Sequence, residues 1–173
     1  KLVRLWNAAD GKPVRDLAGH PGAIRQVEFR KDNNQLASAD ETGIVQLWNP
    51  VDGSSQGVFG AHAGPVTGLV YHPNNALLVT AGTDGLVKAW PATIPAARPI
   101  AGHGAAVTGV QVSPNGQLLV SASADKTARL WTLADGKPVR NFDGHGGVVT
   151  CIAFSPNGAQ VITGCDDKIA RVF

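Results

Sequence analysis

His103, Ser121 and Asp125 bring together the imidazole, hydroxyl and carboxylate of a hydrolase triad. The same residue types stand at His62, Thr80 and Asp84, and again at His145, Thr163 and Asp167. A fourth set, His20 and Ser38, has Thr42 where the carboxylate would be. A nucleophile is needed once, so copies that interchange Ser and Thr argue for hydrogen bonding rather than attack. There is also no Gly-x-Ser-x-Gly elbow and no evident oxyanion hole. No catalytic residue is assigned, and the chain is read as a non-enzyme.

The elements that position these residues are set by a repeat. Trp6, Trp48, Trp90 and Trp131 are followed in register by Phe173, at spacings of 42, 42, 41 and 42. His20, His62, His103 and His145 keep the same time, at 42, 41 and 42. The heptapeptide Ala9–Arg15 recurs unchanged at Ala134–Arg140. Within each period the apolar residues alternate, which is the strand signal, and no segment carries a helical stripe. The stretch Val107–Trp131 reads as three strands joined by a Ser-Pro-Asn-Gly turn and an Ala-Asp-Lys turn. Equivalent turns fall at Lys31–Asn34, Pro73–Asn75, Pro114–Gly116 and Pro156–Gly158. After Trp90 a Pro- and Ala-rich connection replaces the usual Asp-Gly.

A repeat of about 40–45 residues, four strands long and punctuated by Gly-His and Trp, resembles the WD-repeat family of β-propellers. Gly19-His20, Ala61-His62, Gly102-His103, Gly144-His145 and the Trp series carry the resemblance over the whole chain. The Asp that usually follows Trp is replaced by Asn7, Asn49, Pro91 and Thr132. The implied fold is all-β, a β-propeller of four-stranded antiparallel blades. In family lettering, residues 1–19 supply strands c–d, residues 20–61, 62–102 and 103–144 three full repeats, and residues 145–173 strands a–b–c. That is about four blades' worth, half of the seven or eight common in such rings. Two resolutions are expected: a segment of a longer protein, as the Lys at position 1 and the lack of methionine suggest, or two copies closing an eight-blade ring. An arc left open would expose sheet edges.

The resemblance also implies a role for the recurring polar sets. Each is a tetrad in which Trp donates to Ser or Thr, the hydroxyl bonds His, and Asp orients the His. The expected sets are His62–Thr80–Asp84–Trp90, His103–Ser121–Asp125–Trp131, His145–Thr163–Asp167–Phe173 and His20–Ser38–Thr42–Trp48. In the last, Thr42 leaves His20 without a carboxylate, so Thr42→Asp should add about 1 kcal/mol. In the third, Phe173 offers no indole donor. Successive packed sheets keep the histidines about 10 Å or more apart, too far to share a zinc ion that holds its ligands at about 2 Å. No metal and no cofactor are expected. The turn Cys165-Asp166-Asp167 lacks the ligand density of a calcium loop.

Partners of such propellers commonly dock on the face carrying the d–a and b–c loops. The matching positions here are Glu41, Thr83, Ala124 and Asp166 in the b–c turns, with Arg25, Thr67, Thr108 and Thr150 where strand a begins. The expected function is a protein- or peptide-binding scaffold, with an accessory propeller segment of a larger enzyme or assembly as the alternative. A net charge of +2, spread over isolated Lys and Arg, gives no support to nucleic-acid or anionic-membrane binding. No apolar run approaches the ~20 residues of a membrane-crossing helix. Cys151 and Cys165 are expected as free buried thiols, and His72 as a solvated turn residue.

Overall fold

The computed structural model describes residues 1–91 and 98–173, and every regular element among them is a β-strand. The connection expected after Trp90 falls at 92–97, outside the described residues. Strands β1 (Leu2–Trp6) and β2 (Pro13–Ala18) form a two-stranded antiparallel sheet. Three four-stranded sheets follow in simple up-and-down order. The first holds β3 (Ile24–Phe29), β4 (Leu36–Asp40), β5 (Ile44–Trp48) and β6 (Ser55–Gly60). The second holds β7 (Val66–Tyr71), β8 (Leu77–Gly82), β9 (Val87–Pro91) and β10 (Arg98–Ile100). The third holds β11 (Val107–Val112), β12 (Leu118–Ser123), β13 (Ala128–Thr132) and β14 (Pro138–Phe142). A last, three-stranded sheet is made of β15 (Val149–Phe154), β16 (Val161–Cys165) and β17 (Ala170–Val172). The arrangement is a partial propeller whose blades stack face to face without closing a ring.

Burial explains the composition of each strand. The second strand of a blade is covered on both faces by its neighbours, so β4 reads Leu-Ala-Ser-Ala-Asp and is buried at every position. The fourth strand lies on the outer wall, and β14 is exposed at all positions but Phe142. Between blades, Ala37, Ala39, Val45 and Leu47 of one sheet meet Leu69 and Tyr71 of the next. Val79, Ala81, Val87 and Ala89 meet Val110 and Val112 in the same way. Val120 and Ala122 then meet Ile152 and Phe154.

Each hairpin between the first and second strands carries a bulge at the same place. The register skips Arg25, Thr67, Thr108 and Thr150 in turn. The turns that close these hairpins take a positive φ at Asn33, Asn75, Gly116 and Gly158, residue types that accept it at low cost. At the opposite end, the turn between second and third strands is left-handed at Gly43, Gly85, Lys126 and Lys168. Gly43 has no alternative: a Cβ there would meet the backbone oxygen of His62 at 2.0 Å.

Two expectations about single residues are corrected. His72 is not simply solvated: its Nε2 bonds the Gly116 carbonyl at 2.8 Å and its Nδ1 accepts from Asn74 N–H at 3.1 Å, tying one blade's turn to the next. The thiols are free but not buried, Cys151 being exposed and Cys165 half-buried, because the β15–β16 face carries no further sheet.

Candidate functional site

Three blades hold a hydrogen-bonded relay from indole to carboxylate. In the third blade-length repeat, Trp131 Nε1 donates to Ser121 Oγ at 2.8 Å, Ser121 Oγ lies 2.7 Å from His103 Nε2, and His103 Nδ1 lies 2.8 Å from Asp125 Oδ2. With the carboxylate ionised, the imidazole donates from Nδ1 and accepts the hydroxyl proton at Nε2. The second repeat matches it: Trp90 to Thr80 at 2.9 Å, Thr80 to His62 at 2.8 Å, His62 to Asp84 at 2.9 Å. The relay has the order of a catalytic triad, but the hydroxyls of Ser38, Thr80 and Ser121 sit in residues with no exposed surface and are already capped by an indole. Such an oxygen has no approach for a substrate. The relay instead joins the loop before the first strand to the second and third strands.

The first full repeat corrects the expected set. Its hydroxyl link is present, with Trp48 Nε1 to Ser38 Oγ at 2.7 Å and Ser38 Oγ to His20 Nε2 at 2.6 Å. Its carboxylate is not missing: Asp40, at the end of β4, faces His20 Nδ1 at 3.0 Å. Thr42 is an outer partner, donating its hydroxyl to Asp40 Oδ1 at 2.7 Å. Gly22 N–H and Ile44 N–H also donate to Asp40. Burial raises the Asp40 pKa, but these donors win and hold it at about 2.

The last repeat is corrected too. His145 Nε2 bonds Thr163 Oγ1 at 2.9 Å, but His145 Nδ1 is buried without a partner. Asp167 is held by Arg171, whose Nη2 lies 2.8 Å from Oδ2, and by Gly146 N–H at 2.8 Å. At the same place on the third strand of the repeat before it, Arg129 Nη2 stays 3.7 Å from Asp125 Oδ2, and His103 keeps that carboxylate at 2.8 Å. Lys88 reaches away to the Ala61 carbonyl at 2.6 Å, whereas Arg171 claims the carboxylate. Phe173 offers no donor and packs on Phe142, with ring centroids 4.9 Å apart.

The imidazoles feel their burial. Desolvation pushes the His62 and His103 pKa values below the usual histidine value, against the pull of Asp84 and Asp125. His145 is lowered by burial first and by Arg171 second.

The rim at the bulge end is a different surface. Glu41, Thr83, Ala124 and Asp166 donate their backbone N–H groups to the carbonyls of Ala23, Pro65, Ala106 and Val148, two residues before the bulged Arg25, Thr67, Thr108 and Thr150. Arg25 and Glu41 form an exposed ion pair at 3.3 Å. Thr67 and Thr108 are not free loop residues, because their hydroxyls donate to the carbonyls of Val107 and Val149 in the following blade, each at 2.5 Å. Thr150 turns back to Gly164 O in its own sheet at 3.2 Å. Thr83 and Asp166 are exposed, and Ala124 is half-buried.

Sequence reasoning missed Asp40 because it assumed a fixed spacing from His to Asp. The signal was present as a carboxylate two residues before Thr42, in a strand otherwise made of small and apolar residues. It also missed Thr127, whose hydroxyl donates to Asp125 at 2.6 Å.

Comparison with known families agrees with this geometry. The model described as "WD domain, G-beta repeat" matches residues 11–49, 53–91, 97–132 and 136–173. No curated protein matches the chain.

Proposed function

The chain belongs to the WD-repeat family, whose repeats generally act as protein-interaction scaffolds, and from that premise we propose that it is a docking platform for a protein or peptide whose contact surface is the bulge rim. One observation carries the choice of rim. Each of four successive hairpins has its bulge at the same end, and a bulge re-aims a side chain out of the ladder at Arg25, Thr67, Thr108 and Thr150. Glu41, Thr83, Ala124 and Asp166 sit beside them on turns held by rigid strands. The buried relays beneath keep this rim in place, so a partner meets a preformed surface and binding costs little ordering. Thr67 and Thr108 serve the reading by fixing rim geometry; Arg25, Glu41, Thr83 and Asp166 carry the accessible polar groups. Arg25 supplies the contact type most often found at binding hot spots.

A displayed peptide library selected on the chain tests the reading. Peptides that lose binding to Arg25→Glu or Asp166→Arg, while melting temperature stays constant, support it. Selected peptides that ignore both substitutions and compete only at the outer turns around Val51 refute it.

A further inference from the structure

We propose that His145, Asp167 and Arg171 form a proton-operated switch: a proton taken up at His145 Nδ1 moves the Asp167 carboxylate from Arg171 to the imidazole. The switch is independent of the partner rim. Two copies of one constellation stand in the chain in two arrangements. His103, Asp125 and Arg129 recur one period later as His145, Asp167 and Arg171. In the first copy His103 Nδ1 lies 2.8 Å from Asp125 Oδ2, and Arg129 Nη2 stands off at 3.7 Å. In the second, Arg171 holds both carboxylate oxygens, Nη1 to Oδ1 at 3.1 Å and Nη2 to Oδ2 at 2.8 Å. His145 Nδ1 is left buried without a partner.

The two arrangements diverge at the far end of the relay. Trp131 N–H donates to Ser121 Oγ at 2.8 Å, and an indole nitrogen can only donate. The hydroxyl then gives its own proton to His103 Nε2, so the neutral ring carries its proton on Nδ1, facing Asp125. Phe173 brings no N–H to Thr163. The Thr163 hydroxyl is therefore free to accept from His145 Nε2 at 2.9 Å, which puts the ring proton on Nε2. Nδ1 is left with a lone pair, and a lone pair repels a carboxylate. Arg171 supplies the donors instead.

One added proton reverses this. A protonated imidazole donates from both nitrogens, so His145 keeps Thr163 at Nε2 and offers Nδ1 to Asp167. The carboxylate is already tethered beside the ring. Gly146 N–H, in the residue after His145, donates to Asp167 Oδ2 at 2.8 Å, as Gly104 N–H donates to Asp125 Oδ2 at 3.0 Å. Burial first and Arg171 second hold the His145 pKa below the usual histidine value, while Asp167, the Lys126 carbonyl and Asp143 pull the other way. The transition therefore falls on the acid side of about 6.5, the ordinary value for histidine. As pH drops through it, Arg171 gives up its carboxylate and becomes a free guanidinium.

Proton–nitrogen correlation spectra of the imidazoles, recorded from mildly alkaline pH down to the onset of unfolding, test the proposal. At the alkaline end the ring proton is expected on Nδ1 of His20, His62 and His103, but on Nε2 of His145. On acidification His145 should gain a proton at Nδ1, and the Arg171 guanidinium signal should move with the same midpoint. Phe173→Trp should shift the proton of neutral His145 to Nδ1 and release Arg171 without acid. Arg171→Gln should leave that proton on Nε2, which separates loss of the indole from competition by the guanidinium. In the unaltered chain, a His145 already protonated at Nδ1 at alkaline pH overturns the proposal. So does a ring that stays neutral until the chain unfolds, or an Arg171 signal that ignores the His145 titration.

Discussion

Asp40 carries more of the relay than its position suggested. Its two oxygens accept from His20, Thr42, Gly22 N–H and Ile44 N–H, and its side chain is fully enclosed. Asp40→Ala would strand several buried donors, each costing about 1–3 kcal/mol, so a loss of at least about 3 kcal/mol is expected in denaturant titration. Thr42→Asp is now expected to destabilise by about 1 kcal/mol or more, since the new carboxylate would lie against Asp40. That reverses the expectation from spacing alone, and equal or higher stability would restore it. Protonation belongs to the same scale. His62 and His103 resist protonation in the fold because burial disfavours the cation, whereas in the unfolded chain they titrate near the ordinary histidine value of about 6.5. Below that pH the unfolded state binds more protons, so stability falls as pH drops through about 6.5. Asp84 and Asp125, held below their ordinary value by hydrogen bonds that outweigh burial, extend the loss once pH falls below the carboxylate range. Melting temperature measured from pH 8 to pH 5 should decline on the acid side; a rise there would contradict the assignment.

Turns show how much chain chemistry a strand pattern leaves open. The left-handed position between second and third strands is Gly43 and Gly85 in two blades but Lys126 and Lys168 in the others, at φ 69° and 67°. A residue with Cβ pays for that conformation, by about 1–2 kcal/mol, and glycine's greater freedom in the unfolded chain offsets part of the gain. Lys126→Gly should therefore raise stability by up to about 1 kcal/mol, read as a shift in the denaturation midpoint at constant slope. An unchanged midpoint would mean that the turn relaxes around lysine. The strands themselves were legible from alternation and from Pro-Asn-Gly turns. The bulges were not, because a skipped register at Arg25 or Thr108 leaves no mark in residue type.

Across the molecule, stability is set blade by blade through nearest-neighbour faces. β8 and β12 are buried in the middle of the stack, while β15–β17 present an open face and β1–β2 an open edge. Amide exchange is accordingly expected to be slowest in β8 and β12 and fastest in β1, β2 and β17. Uniform protection would show that the stack opens as one unit. The period of 41–42 residues, the alternation and the Gly-His and Trp marks sufficed for the all-β blade fold, because each blade is a local hairpin series that repeats its own pattern. The identity of hydrogen-bond partners was decided only in three dimensions. Asp40 faces His20 by lying at the end of β4, and Arg171 holds Asp167 by folding back onto the turn four residues before it. A linear spacing brings the competitors near each other, and only packing selects among them.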